Sequence, residues 1–131
     1  MTHSPSSRRP IHTPTAEYPI TVTPTGRRVT VRVGGELVAD SADALTLQES
    51  TRPAVQYIPL ADVRRDMLTR TATTSYCPFK GDAAYYSVNT PDGQTVADAG
   101  WTYEQPFPAV ADIAGHIAFY PAKADIAVAD A

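Results

Sequence analysis

The segment "RVTVRVGGELVADS", residues 28–41, decides the fold class. Valine occupies every second position from 29 to 33, so one face of an extended chain is apolar and the other is polar. Gly34 and Gly35 separate this run from a second one, "ELVADS". A tight two-residue turn needs positive backbone φ at its centre, which glycine adopts without strain. The segment therefore predicts a β-hairpin.

Strand-like segments recur about every ten residues and are separated by turn residues such as Gly, Pro, Asn and Asp. They are "YPITVTP", "ALTLQES", "AVQYIP", "SYCPFKGDAAYYSV", "TVADAGWTYEQP" and "IAFY". Two segments differ: residues 59–68 carry apolar side chains at helical spacing, and Val110 and Ile113 indicate a second short helix. We therefore expect a mainly β protein of compact, curled antiparallel sheets with one or two short helices.

The chain has 131 residues, the length of one domain. Residues 1–16 are rich in Ser, Thr, Pro and His, and such a segment buries too little apolar surface to offset the entropy lost on ordering. We expect a disordered tail over residues 1–16, a single domain over 17–126 and a frayed end over 127–131.

Charge and cysteine content exclude several classes of function. The formal net charge is −3, so we expect no nucleic-acid partner and no binding to an anionic membrane. The single cysteine cannot form an intrachain disulfide or a zinc site built on two cysteines. We expect no metal and no cofactor. Because no apolar stretch is long enough for a membrane span or a secretory signal, we expect a cytoplasmic protein.

Five segments, in order and at family-like spacing, resemble a family of bacteria and fungi known as domain of unknown function 427. They are "RVTVRVGGELVADS", "VQYIPLADVRRDML", "SYCPFKGDAAYYSV", "DAGWTYEQPFPAV" and "IAGHIAFY". The resemblance implies a β-tent topology, similar to that of methionine sulfoxide reductase B. Relatives of that fold often hold their sheets with paired Cys-x-x-Cys zinc knuckles. This chain has no such pairs, so packing alone must hold its sheets.

A label suggesting nucleotidyltransferase chemistry is attached to that family. Such chemistry needs a glycine-rich turn that holds phosphate, followed by a pair of carboxylates for a divalent metal. Gly34-Gly35 with Asp40 and Asp43 matches this pattern only loosely, and the β-hairpin already accounts for the glycines.

Lys80 and Cys77 are the leading candidates for catalytic residues, because a turn at Pro78 would bring them together. A lysine buried beside aromatic rings can act as a base, a Schiff-base amine or an anion ligand. The alternative for Lys80 is a solvated side chain or an ion pair with Asp62 or Asp98. Cys77 is a nucleophile if a nearby cation favours its thiolate, and otherwise a small buried apolar residue.

Aromatic and acidic residues concentrate in the same family-like segments, which suggests a pocket. The predicted ligand-binding residues are Tyr57, Tyr86, Trp101, Tyr103 and Asp98. Asp62 is a third candidate catalytic residue, as a general acid or base, although it would also suit the first turn of the predicted helix. Core packing is the alternative for each ring.

These observations support two functional hypotheses. In the first, the protein binds or transforms a small molecule in an aromatic-lined pocket with Lys80 and a carboxylate as polar anchors. In the second, it is a non-catalytic module that binds another protein or a second copy of itself. The second hypothesis predicts a large flat apolar patch and no enclosed cavity.

Overall fold

A computed structural model describes residues 9–130, which contain ten β-strands and three short 3₁₀ helices. The strands are β1 Ile20–Pro24, β2 Val29–Val33, β3 Glu36–Ser41, β4 Leu45–Glu49, β5 Val55–Pro59, β6 Leu68–Cys77, β7 Gly81–Asn89, β8 Thr95–Thr102, β9 His116–Phe119 and β10 Asp125–Val128. The 3₁₀ helices are Leu60–Asp62, Arg65–Met67 and Pro108–Ile113.

The strands form two antiparallel sheets. The large sheet has seven strands in the order β1-β4-β5-β9-β8-β7-β6, and the small sheet has three in the order β10-β2-β3. Strand β9 comes late in the chain, yet it lies in the middle of the large sheet, where it joins β5 to β8. The prediction of a mainly β fold of antiparallel sheets is confirmed.

The β2–β3 hairpin confirms the interpretation of the opening segment. Val33 pairs with Glu36 across the turn, and Gly34 and Gly35 have φ of 56° and 84°. Positive φ at both central residues is the geometry that fits the twist of a two-residue hairpin. The three valines of β2 are buried, as their alternation predicts.

The helix predicted over residues 59–68 is wrong as a continuous element. Val63 separates two 3₁₀ helices, has an extended backbone and bridges to Ala39 of β3. The Arg64 N–H donates to the carbonyl of Val38 at 2.8 Å. These bonds to β3 replace the bonds that an α-helix would make within itself. Within residues 9–130, no helix has the length and apolarity needed to cross a membrane.

Apolar side chains form two buried clusters, one on each face of the large sheet. Strand β9 shows the division, because Ile117 and Phe119 join the first cluster and Ala118 joins the second. The first cluster contains the valines of β2 and also covers the small sheet. The second contains Leu47, Tyr57, Ala83, Tyr103, Val110, Ile113 and Ala118. The second cluster therefore combines residues of the large sheet with residues of the 3₁₀ helix Pro108–Ile113. This helix lies where the sequence predicted a second short helix.

Gly100 allows the central strands β8 and β9 to approach closely. A Cβ atom at this position would lie 3.0 Å from the carbonyl oxygen of Ala118. This contact is tighter than ordinary van der Waals contact, so a larger residue at position 100 would require its neighbours on β9 to move by a few tenths of an ångström. The next residue, Trp101, pairs directly with Ala118. The close approach therefore fixes the position of the Trp101 side chain relative to β9.

Both ends of the described chain contact the strands. The Arg9 guanidinium donates two hydrogen bonds to Asp82, at 2.6 and 3.0 Å, and the His12 N–H donates to the carbonyl of Pro78. The expected disordered tail covers residues 1–16, of which 1–8 lie outside the described residues. At the other end, β10 continues to Val128, within the segment expected to be frayed, and pairs with β2.

We expect Ile117→Ala to lower the free energy of unfolding by about 2–5 kcal/mol, because Ile117 is 0% exposed and its loss leaves a cavity between the two sheets. Chemical denaturation followed by circular dichroism measures the change. The matched control is Ile11→Ala: Ile11 is 68% exposed, so its replacement should change stability by less than about 0.5 kcal/mol. Equal effects of the two substitutions would contradict this account of the core.

Candidate functional site

The turn between β6 and β7 places Lys80. The Lys80 N–H donates to the carbonyl of Cys77 at 3.1 Å, and Pro78 occupies the second position of this four-residue turn. Proline favours that position because its ring fixes φ near the required value. On the other side, the carbonyl of Lys80 accepts from the Phe107 N–H at 3.0 Å. The backbone of Lys80 is therefore held from both sides, and its side chain is directed inward.

Lys80 forms an ion pair with Glu49 in the protein interior. Lys80 Nζ lies 2.5 Å from Glu49 Oε1, and each side chain is only 10% exposed. The hydroxyl of Tyr18 donates to the other carboxylate oxygen, Oε2. Lys80 Nζ also lies 3.8 Å from Cys77 Sγ. Glu49 is the last residue of β4, so this pair connects the β6–β7 turn to the opposite part of the large sheet.

The surroundings of Glu49 favour its charged form. Burial acts to raise the pKa of this carboxyl group, because it removes the charge from water. Hydrogen bonds from Lys80 and Tyr18, together with the positive charges of Lys80 and Arg52, outweigh burial and lower the pKa below its usual value. Both oxygens of the carboxylate are hydrogen-bonded, so the group is saturated by its own protein partners.

A cleft of about 540 Å³ opens beside this ion pair. Five aromatic rings line it, from β5, β7, β8 and the segments that follow β8 and β9. Its lining residues are Leu47, Glu49, Arg52, Pro53, Ala54, Val55, Tyr57, Lys80, Tyr85, Trp101, Tyr103, Tyr120 and Pro121. The cleft thus combines an apolar wall with a few charged and hydroxyl groups, which is the usual composition of a small-molecule site.

Three of the rings contact one another around Trp101. The Trp101 indole N–H donates to the Tyr57 hydroxyl oxygen at 3.3 Å, with the rings edge to face and 6.4 Å apart. Tyr120 packs on Trp101 with ring centroids 4.5 Å apart. Such contacts between aromatic rings add to the stabilisation from burial alone and restrict ring motion. The wall of the cleft is therefore largely formed before any ligand enters.

The hydroxyls of Tyr57, Tyr103 and Tyr120 stay protonated across the physiological pH range, because burial raises the pKa of each. Burial, together with a hydrogen bond to Tyr85, raises the pKa of Tyr120 to about 12. Protonated hydroxyls can donate hydrogen bonds, whereas phenolates cannot. The cleft therefore offers O–H donors along an otherwise apolar wall.

The structure brings several of the predicted site residues together. Lys80, Tyr57, Trp101 and Tyr103 all line the cleft, and Cys77 lies next to Lys80. Cys77 is half-buried and packs against the second apolar cluster. The sequence suggested Asp62 or Asp98 as the ion-pair partner of Lys80. The structure shows that the partner is Glu49 of β4.

Four of the predicted residues do not line the cleft: Cys77, which lies next to Lys80, and three residues located elsewhere. Tyr86 packs against the first apolar cluster, because alternation along β7 directs Tyr85 into the cleft and Tyr86 to the opposite face of the sheet. Asp62 accepts a hydrogen bond from Ser41 Oγ at 2.6 Å. Asp98 accepts from the hydroxyls of two threonines of β6, and these bonds lower its pKa.

Sequence reasoning missed Glu49 and Tyr120. Glu49 lies within the alternating segment "ALTLQES", two residues after Leu47, so the alternation places it on the same inward face as Leu45 and Leu47. A charged residue on a core-facing position signals a buried partner. Tyr120 follows β9 directly, and no local pattern distinguishes it from a strand-end residue. Within residues 9–130, no group of three or more His, Cys, Asp or Glu side chains could hold a metal ion.

We expect Lys80→Met to lower the free energy of unfolding by about 3–5 kcal/mol, because it leaves the buried carboxylate of Glu49 without its ion-pair partner. The double variant Lys80→Met/Glu49→Leu should recover most of that loss, since it removes both charges. As a control, Lys123→Met replaces the other lysine and should lower the free energy of unfolding by less than about 1.5 kcal/mol, because Lys123 is exposed. Urea denaturation measures all three. A double variant no more stable than Lys80→Met would refute the coupling.

The stabilisation from Glu49 should depend on pH. Because its pKa is lowered in the folded protein, the stabilisation is complete above the usual pKa of a glutamate and is lost as the pH falls through the lowered value. The stability difference between the native chain and Glu49→Gln should therefore shrink from about pH 7 to about pH 3. Denaturation at several pH values measures it, with the exposed Glu17→Gln as control. A constant difference would contradict the assignment.

A comparison with models of protein families identifies the family of this chain. No curated protein matches the chain. A family model described as "Domain of unknown function (DUF427)" matches residues 21–130, which include all ten strands except the first residue of β1. This match covers the hairpin, the Lys80 turn and the aromatic wall. The chain belongs to the DUF427 family.

Proposed function

We propose that the protein binds a small molecule in the cleft, with the aromatic wall contacting the body of the ligand and Lys80 at its polar end. The observation that carries this proposal is the buried ion pair between Lys80 and Glu49 beside that wall. Burying two charges is expensive, and apolar residues of similar volume would hold the sheets equally well. Buried ionisable groups that line a cleft are typical of binding and active sites.

The dimensions and the chemistry of the cleft support the same proposal. Its volume of about 540 Å³ falls within the usual range of small-molecule sites. Lys80 has three N–H donors, of which one is bonded to Glu49 and one points to Cys77. The remaining donor is available to an acceptor on a ligand. If the protein also transforms its ligand, Glu49 is the group placed to accept a proton from Lys80.

The alternative, a protein-interaction module, has less support. That hypothesis predicts a large flat apolar patch. Among the described residues, the large hydrophobic side chains that are exposed are Ile11 and Val128, and they lie on separate segments of the chain. Single exposed apolar residues are normal on protein surfaces and need no partner to explain them. Small-molecule binding is therefore the better supported of the two hypotheses.

Two further proposals concern the topology of the fold and the location of the protein in the cell. We propose a β-tent topology, as the family resemblance implies, and a cytoplasmic protein. The single cysteine supports the second expectation, since proteins exported to oxidising compartments more often carry disulfides.

A fragment titration observed by NMR tests the binding proposal. The chain has one tryptophan, Trp101, so the indole N–H gives one signal that reports directly on the cleft. We expect single-ring fragments such as phenol and benzamide to shift this signal in a saturable manner. In Lys80→Met/Glu49→Leu the affinity for fragments with a polar group should fall about tenfold, because the polar end is lost.

The control variant is Arg64→Gln, which removes an exposed cation that does not line the cleft. It should bind the same fragments as the native chain does. If no fragment moves the Trp101 signal, or if fragments bind equally well to the double variant, the cleft is not a binding site of the kind proposed.

A further inference from the structure

The charges around the cleft define the kind of ligand that it can hold. Its charged lining residues are Lys80, Arg52 and Glu49, two cations and one anion. The carboxylate of Glu49 is already occupied on both oxygens, by Lys80 and Tyr18. The next steps rest on the proposed function, because they assume that a small molecule enters the cleft.

The remaining cation is Arg52. Its side chain is exposed at the cleft, and within residues 9–130 its guanidinium has no hydrogen-bond or ion-pair partner. By contrast, Arg9, Arg28 and Arg70 each pair with a carboxylate. A guanidinium presents a planar fork of donors that matches a carboxylate group. Arg52 is therefore the arginine of the cleft with its fork available to an anion.

The aromatic wall alone would also suit a cationic ligand. Rings arranged around a cavity bind quaternary ammonium groups through their negative faces. Here the excess of one positive charge opposes such a ligand, and Glu49 is saturated by its protein partners. The hydroxyl of Tyr57 also favours a ligand with acceptor oxygens, because its oxygen already accepts from the Trp101 indole N–H and its proton is left to donate.

The shape of the wall favours a flat body. Trp101 and Tyr120 lie 4.5 Å apart between ring centroids, at an angle of 40°. Tyr57 meets Trp101 at nearly a right angle. Planar groups pack against such surfaces with more contact area than branched ones do. An apolar ring is therefore the body that best replaces water in this cleft.

We propose that the ligand class is a planar aromatic carboxylate, with its ring against Trp101 and Tyr120 and its carboxylate at the polar end of the cleft, on the Arg52 guanidinium and the remaining N–H of Lys80. Neither Lys80 nor Glu49 has to change partners for such a ligand to bind.

Three probes of the same ring and different charge test this proposal: benzoate, benzamide and benzyltrimethylammonium. We expect benzoate to bind at least about fivefold more tightly than benzamide, measured by the Trp101 indole signal, and the ammonium probe to bind most weakly. The advantage of benzoate should decrease with added salt, because Arg52 is exposed.

Arg52→Gln should remove the preference for benzoate and leave benzamide binding unchanged. Arg52→Lys should keep part of the preference, because the charge remains without the planar fork. The control is Arg64→Gln, which removes an exposed arginine that does not line the cleft and should change none of the affinities.

The outcomes separate this inference from the proposed function. If benzamide or the ammonium probe binds and benzoate binds no better, the ligand class is wrong and the cleft remains a binding site. A preference for benzoate that survives in Arg52→Gln also overturns the inference. If none of the three probes moves the Trp101 signal, both the ligand class and the proposed function fail.

Discussion

The contact between Lys80 and Glu49 is the interaction on which the rest of the site depends. It joins the β6–β7 turn to the end of β4, two parts of the large sheet that share no strand pairing. The two charges are held at 2.5 Å and are nearly out of reach of water. A buried pair of this kind is costly to break and gains little over apolar packing, so its presence is best explained by a role beside the cleft.

The fold supplies a rigid frame for that pair. Strand β9 lies between β5 and β8, and its small residue Ala118 lets the rings of the second cluster approach the sheet. Gly100 brings β8 against β9, which holds Trp101 beside Tyr120. Side chains on strands are positioned more accurately than those on loops. Tyr57, Tyr85 and Trp101 of the aromatic wall lie on strands, and Tyr103 and Tyr120 directly follow β8 and β9. The ion pair comes from a turn and a strand end.

Much of the fold could be predicted from local sequence patterns. Alternation predicted most strands, and the glycine pair predicted the β2–β3 hairpin, because both signals arise within a few residues. The helix over residues 59–68 was mispredicted because this segment makes hydrogen bonds to β3 in place of continuous helical ones. Strand β3 is distant in sequence, so no pattern within the segment indicates those bonds. The site was predictable in part: Lys80 and three rings were identified, whereas Glu49 was not. No local pattern shows that Glu49 and Lys80 meet. Alternation shows that Tyr85 and Tyr86 lie on opposite faces of β7, but it does not show which face lines the cleft.

The most direct test of the central claim is a measurement of how fast the two lysine ammonium groups exchange protons with water. The chain has only Lys80 and Lys123, so selective ¹⁵N labelling of lysine gives two side-chain signals in an NMR spectrum. A buried ammonium that donates to Glu49 exchanges slowly, so the Lys80 signal should persist at neutral pH while that of the exposed Lys123 is lost. Equal, rapid exchange at both lysines would place the Lys80 amine in open solvent and would contradict the account.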